Sequence, residues 1–199
     1  MIASAREAVQ DKSNGYEGIA EAFTRARTQS IGPRIVRQWA KRLQPGAAIL
    51  DIGCGYGAPI SEALLQEGCA VYGVDASETL IAKFRSRFPE VTLECSSVEE
   101  SSFFNRIFDA AVAWGLMFLL PSDVQRMLIG KVARALNRNG QFLFTSPSEV
   151  CSWIDGMTGL PSISLGQDVY LQELAANGLV LVGNDEDEGQ NYYYFASKL

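Results

Sequence analysis

The chain has 199 residues, 47% hydrophobic and 20% charged, with a formal net charge of −6 at pH 7. That is enough chain for one domain with a proper core, and the composition is that of a globular rather than a disordered protein. Net acidity repels phosphate backbones, so nucleic acid is not an expected partner; the absence of any histidine excludes Ser-His-Asp and Cys-His catalysis and most zinc hydrolase chemistry.

In chain order, Ala20–Thr28 and Pro33–Leu43 read as two helices in a basic stretch carrying Arg25, Arg27, Arg34, Arg37, Lys41 and Arg42. Ala47–Ile52 is the first β-branched run, and a helix opens at Pro59 and ends before Gly68. Ala70–Val74 is a second strand. Ser77 then caps a helix with Leu80, Ile81 and Phe84 on one face, stopped by Pro89. Val91–Cys95 is a strand, Ser96–Arg106 a loop with one turn, and Phe108–Trp114 a strand. Ser122 caps a helix with apolar residues spaced from Val124 to Leu136, with Gly140 just beyond its end. Gln141–Thr145 is a strand. Trp153–Gly159 and Ser162–Gly166 read as loop, and Gln167–Asn177 as a helix closed by Gly178. Leu179–Val182 and Tyr192–Ala196 are two last strands, joined by the acidic run Asp185–Glu188, which reads as a solvated loop.

Strand–helix alternation implies βαβ units and a parallel sheet, and continuous apolar strands imply helices on both faces. The expected fold class is α/β: a doubly wound, mostly parallel seven-stranded sheet with an antiparallel strand at the C-terminal end. One domain, 1–199, is the simplest division, with a helical segment 1–43 ahead of an α/β core 44–199. No apolar stretch approaches the roughly 20 residues of a membrane span, and Met1–Arg6 shows no signal-peptide core, so a cytoplasmic location without membrane partners is expected. Cys54, Cys69, Cys95 and Cys151 form no C-x-x-C pair; free, mostly buried thiols and no metal site are expected.

The first strand ends in Asp51-Ile52-Gly53-Cys54-Gly55-Tyr56-Gly57, a D-x-G-x-G-x-G spacing. Glycines at the carboxyl end of strand one let the backbone turn tightly and approach a ligand, and the next helix points its amides into the same crevice. The spacing is not the G-x-G-x-x-G of dinucleotide folds. Asp51 would oppose a pyrophosphate, but it suits a ligand whose near end carries an ammonium group. The second strand ends in Asp75, placed to accept hydrogen bonds from both ribose hydroxyls.

These residues resemble the class I S-adenosylmethionine (SAM)-dependent methyltransferase family. Leu50-Asp51 with Gly53–Gly57 is similar to its first motif, Val74-Asp75-Ala76-Ser77 to its second, and Phe108–Val112 to its fourth-strand motif; the resemblance spans Gln44–Ser146. It implies a Rossmann-like methyltransferase fold, SAM as cofactor and S-adenosylhomocysteine as product. It implies that Asp51, Gly53, Cys54, Gly55, Gly57, Asp75 and Ala76 bind the cofactor, Gly53 at its methionine end and Asp75 on its ribose, and that Cys95–Glu99 flank the adenine. Ser97 stands where many members carry an acid, and Val98 would offer its backbone amide. Arg27, on a segment that members fold over the cofactor as a lid, either meets the SAM carboxylate or lies on a solvated face.

Methyl transfer from a sulfonium is a direct displacement that needs alignment, not a metal or imidazole. Ala113–Phe118 is not the N/D-P-P-Y segment of amino-methyltransferases, and no Pro-Cys nucleophile pair is present. Trp114 is a candidate for the methionine side or the acceptor pocket, and equally for the core. Tyr16, Phe118 and Trp153 are further candidates to bind the acceptor, with a core role open for Phe118. Asp155 and Tyr170 are the candidates to orient or deprotonate a nucleophile, with turn chemistry or capping as the other reading. The expected function is methyl transfer to a small-molecule acceptor; a non-catalytic SAM-binding protein and a methyltransferase acting on protein or RNA are the alternatives. A nicotinamide-dependent oxidoreductase predicts G-x-G-x-x-G and no Asp51, and both fail. Oligomeric state is not legible.

Overall fold

The computed structural model describes residues 11–199. Met1–Arg6, and with it the first ten positions of the expected 1–43 segment, lie outside the described residues. The chain runs α1 (Tyr16–Ala26), α2 (Pro33–Ala40), β1 (Ala48–Ile52), α3 (Ile60–Gln66), β2 (Ala70–Asp75), α4 (Glu78–Arg87), β3 (Thr92–Cys95), β4 (Phe108–Ala113), α5 (Ser122–Ala135), β5 (Leu136–Thr145), β6 (Val150–Ile154), β7 (Pro161–Leu165), α6 (Gln167–Ala176), β8 (Leu179–Glu186) and β9 (Tyr192–Lys198).

The seven-stranded sheet has the order β3-β2-β1-β4-β5-β9-β8. The first five strands pair in parallel, and β9 enters antiparallel between β5 and β8. Successive residues point to opposite faces, as a strand requires. Leu50, Ile52, Ala111, Phe142, Phe144 and Tyr194 join the core that α5 and α6 cover with Leu128, Ile129, Val132, Tyr170 and Leu174. Ile49, Val112, Leu143 and Tyr193 join the second core, closed by Ile35, Val36 and Trp39 of α2 and Leu64 of α3. Both layers are anchored by large apolar side chains, each contributing about 1.5–3 kcal/mol of burial.

Three expectations change. The Trp153–Gly159 stretch is not simply loop: β6 and β7 form a separate antiparallel hairpin, Val150 opposite Leu165 and Ile154 opposite Pro161. Its alternating Val150, Ser152 and Ile154 face outward, so the period-2 signal was present but masked by mixed polarity. Ser122 is the first residue of α5 rather than its cap; Pro121 holds the cap position and no side chain caps it. Gly140 does not end that helix either. The chain passes from Ala135 directly into β5, and its first residues bulge, Leu136 lying opposite Phe108 and Gln141 already opposite Ala110. By contrast Ser77 caps α4 as expected, its hydroxyl accepting from the Leu80 amide at 3.1 Å. Among the cysteines, Cys54 and Cys69 are buried, Cys151 half-buried and Cys95 exposed, all four free. No helix among the described residues is long and apolar enough to cross a membrane.

Candidate active site

In a doubly wound sheet the crevice opens at the carboxyl ends of the strands where their order reverses, here between β1 and β4. A cleft lies there, with α1 across it; its non-atom space, open mouth included, is about 940 Å³. Asp51, Gly53, Cys54 and Gly55 line it from β1, Val74, Asp75 and Ala76 from β2, Ser96 and Val98 from the segment after β3, and Trp114 to Leu116 from the end of β4.

The glycine turn is fixed by hydrogen bonds to β2. Gly53 and Cys54 both donate their amides to the Val74 carbonyl, at 2.8 and 3.1 Å. Gly53 has φ +71°, and a Cβ there would meet the Leu116 side chain at 3.0 Å; only glycine adopts this conformation without strain. Gly55 donates to Asp75 Oδ2 at 2.8 Å and Ser77 to Asp75 Oδ1 at 2.8 Å. Each carboxylate oxygen accepts about two bonds, so Asp75 keeps free lone pairs for a ligand after locking the turn.

The two acids differ in surroundings. Asp51 is 2% exposed, and its described side-chain partner is the Ser61 hydroxyl. Burial pushes its carboxyl up to about 7; the Ser61 bond opposes this, and nearby Asp75 adds to it. Burial also raises Asp75, against its two amide donors. Cys54 sits under the turn with its thiol raised by burial and by both acids, so it is a packing group and not a thiolate.

α1 forms the opposite wall through Tyr16, Phe23 and, just past its end, Arg27. Glu17 fastens this helix to the start of α4: it accepts from the Ser77 hydroxyl, from the Thr79 amide at 3.1 Å and from the Thr79 hydroxyl at 2.7 Å. Lys12 pairs with Glu99 at 3.0 Å and Lys83 with Glu21 at 2.8 Å. Tyr16 donates its phenol hydrogen to Asp155 Oδ2 at 2.9 Å, tying α1 to the β6–β7 hairpin. Burial first, and then this bond, hold the Tyr16 phenol well above its ordinary range, so it stays protonated.

Arg27 is the unusual group. Its guanidinium lies 4.3 Å from the Trp114 ring centroid and 5.2 Å from that of Phe23. Burial lowers its pKa, with Tyr56 opposing. Among the described residues its Nε and the Asn14 Nδ2 are buried with no hydrogen-bond partner, and both residues line the cleft. Such donors are costly to leave unpaired and mark where an acceptor atom is expected.

The cleft therefore brings together Asp51, Gly53, Cys54, Gly55, Asp75, Ala76, Val98, Trp114, Arg27 and Tyr16, and leaves six expected residues outside its walls. Gly57 is a packing glycine: its φ is +86° and a Cβ would lie 2.8 Å from the Phe84 ring. Ser97 turns away, its hydroxyl accepting the Glu100 amide at 3.3 Å in the turn after β3; Ser96 and Val98 form the wall instead. Phe118 and Trp153 pack on each other, ring centroids 5.3 Å apart. Tyr170 is fully buried, its hydroxyl donating to Gln125 Oε1 at 2.7 Å and lying 2.8 Å from the Ser146 hydroxyl, so it is a core residue and not a base. Asp155 is buried and accepts the Met157 amide at 2.7 Å; it touches the cleft only through Tyr16. Sequence reasoning missed Asn14, Glu17, Leu119 and Leu120. The Asn14-Gly15 pair is a turn signal that marks the entry to α1, with φ +52° and +84°; nothing local marks the others.

The sheet order and the cleft at its switch point define a Rossmann-like α/β fold with an open ligand crevice. The family described as "Methyltransferase domain" matches residues 49–140. Aklanonic acid methyltransferase of Streptomyces sp. (strain C5) is 32% identical over 110 residues, 51% of this chain and 49% of that protein. Ubiquinone biosynthesis O-methyltransferase of Coxiella burnetii is 35% identical over 105 residues, 51% of this chain and 43% of that protein. The chain thus spans about half the length of the curated relatives it matches. Among solved structures, magnesium protoporphyrin IX methyltransferase from Synechocystis PCC 6803 superposes with a TM-score of 0.74 over 98% of this chain and 100% of that one, at 16% identity, a likeness of fold. The chain is thus similar to methyltransferases in sequence across its β1–β5 half and in fold over nearly its whole length.

Proposed function

We propose that the chain transfers a methyl group from SAM to a small-molecule acceptor by direct displacement. The observation that carries this reading is the pair of acids in one cleft, Asp51 beneath the glycine turn and Asp75 at the tip of β2, with the unpartnered Arg27 Nε among its walls. A ligand with an ammonium, a carboxylate and a ribose diol matches these groups. Asp51 takes the ammonium, Arg27 the carboxylate, and the free lone pairs of Asp75 the ribose hydroxyls. Ala76, Leu80, Ser96 and Val98 border the adenine.

When bound, SAM supplies a methyl group already activated on a sulfonium. The protein's work is alignment and exclusion of water. α1 covers the cleft, and Tyr16, Phe23, Leu119 and Leu120 leave an apolar acceptor space beside Trp114. The Tyr16 hydrogen is committed to Asp155, so its oxygen faces the acceptor as a hydrogen-bond acceptor and orients the proton of the attacking group. The acceptor named for the Streptomyces relative, aklanonic acid, supports a small acceptor, and the net charge of −6 weighs against RNA.

Calorimetry with S-adenosylhomocysteine and NADH tests the reading, with Asp75→Ala as control. Binding of the thioether and not of NADH is expected. Asp75→Ala should weaken it about tenfold to hundredfold, the loss of bonds to a charged group. A protein that binds no thioether refutes the reading. Tight binding without methylated product across a broad small-molecule screen makes it a cofactor-binding protein without turnover, and methylation of a protein or RNA alone overturns the acceptor class.

A further inference from the structure

The acidic run Asp185–Glu188 spans the end of β8 and the turn into β9, and one of its four acids is buried while the other three are solvated. Asp187 is 6% exposed. Its Oδ1 accepts the Gly189 amide at 2.9 Å and the Asn191 amide at 3.0 Å, which closes the hairpin turn. Its Oδ2 accepts the Tyr193 hydroxyl at 2.7 Å. Tyr193 is fully buried on the face of the sheet that carries α2 and α3, and its oxygen in turn accepts the Trp114 indole N–H at 2.6 Å. An indole nitrogen only donates, so the Tyr193 oxygen must accept from it and its hydrogen must go to Asp187. Every proton in the chain is therefore fixed. The far end of the chain is the Trp114 ring face, with the Arg27 guanidinium 4.3 Å from its centroid. Gly32 packs on the edge of the same indole, a Cβ there meeting ring carbons at 3.0 Å, and Gly189 of the hairpin lies against Ile31.

From this connectivity we infer that Asp187 and Tyr193 are positioning residues: they hold the Trp114 ring in the orientation that places Arg27 in the cleft. This inference rests on the cofactor reading proposed above. A cation over an aromatic face is held by the ring's electron density, so rotating the ring moves the cation. A carboxylate at the other end of the chain polarises the indole in the direction that favours that cation. Neither Asp187 nor Tyr193 lines the cleft, so neither needs to touch the amino-acid end of the ligand.

The test compares two ligands that differ only at that end: S-adenosylhomocysteine, and 5′-methylthioadenosine, which lacks the ammonium and carboxylate. Tyr193→Phe keeps the buried ring and removes the chain's central oxygen. It should weaken the first ligand about threefold to tenfold, the range of one hydrogen bond, and leave the second unchanged. In an Arg27→Gln background the same substitution should have no further effect, because the group being positioned is gone. Equal loss for both ligands, or an undiminished effect without Arg27, makes Tyr193 merely structural and overturns the inference. Arg27→Gln with unaltered affinity for the thioether overturns it as well. Parent protein that binds neither ligand instead removes the cofactor reading on which the inference stands. If Tyr193→Phe fails to fold, Asp187→Asn disturbs the same chain one link earlier, at a residue outside the cleft, with the same two outcomes.

Discussion

The sharpest consequence of the site concerns Asp51. Burial raises its carboxyl from the ordinary 3.8 up to about 7. The folded protein therefore holds a proton that the unfolded chain has released anywhere between those values. Stability then falls as pH rises through the window from about 4 to about 7, the reverse of a salt-bridged carboxylate. At 1.36 kcal/mol per unit, keeping Asp51 ionised in the ligand-free fold costs about 4 kcal/mol. An ammonium placed beside it restores the charged form, so ligand binding must expel the proton. With a carboxyl at about 7, S-adenosylhomocysteine should release about one half of a proton at pH 7, about nine tenths at pH 6 and about one tenth at pH 8. Calorimetry in two buffers of different ionisation enthalpy counts these protons. 5′-Methylthioadenosine, with no ammonium, should release none from Asp51. Asp51→Asn keeps a partner for Ser61, should abolish the release and weaken the thioether, and should melt higher than the parent above pH 7. Thioether binding at pH 6 without proton release would refute the reasoning: Asp51 would then be ionised already, or would not meet the ammonium.

Gly57→Ala should lower unfolding free energy by about 2–4 kcal/mol in denaturant titration, from a left-handed backbone and an overpacked neighbour, because its Cβ would lie 2.8 Å from the Phe84 ring at φ +86°. Tyr170→Phe removes the partner of Gln125 and Ser146 and should cost about 1–3 kcal/mol of stability, with thioether affinity unchanged; a change in affinity would return Tyr170 to the site. Glu17→Ala should speed release of the thioether about twofold to fivefold in stopped-flow, the range for exposed charged ties. Bonds from the Ser77 and Thr79 side chains hold Glu17 below its ordinary range. Its tie is thus present above that range and lost as pH falls through the lowered value, so the difference from parent should fade in acid.

The sheet and its glycine turn were legible because their signals are local. A strand covered on both faces reads as an apolar run, as Ala110 through Ala113 does, and a tight turn at positive φ leaves glycine at Gly53 and Gly55. Arg27 was legible for the same kind of reason, since helical spacing set it beside Phe23. What the sequence hid depends on partners far along the chain. Glu17 meets Ser77 and Thr79 across about sixty positions, and Tyr16 meets Asp155 across 139. Trp153, Phe118 and Tyr170 have the composition of a pocket but pack on one another or on the core, because aromatic character alone does not say which face a side chain takes. Asp187 was misread for the opposite reason: four acids in a row look solvated, while the hairpin turn needs one of them to accept its amides.

These long-range ties divide the work of the site in two. Of the ties that fasten the N-terminal segment, Lys12 to Glu99, Glu17 to Thr79 and Glu21 to Lys83 are exposed, while Tyr16 to Asp155 and Glu17 to Ser77 are partly buried. Exposed pairs contribute little singly, typically below about 1 kcal/mol, so a cover held by them opens without unfolding the sheet. Asp51, Asp75 and the Trp114 end of the Tyr193 chain belong instead to the sheet and its turns. Arg27 stands at the junction, past the last turn of α1 yet held on Trp114. Weakening the cover should therefore change how fast a ligand leaves, whereas disturbing the floor should change how tightly it binds.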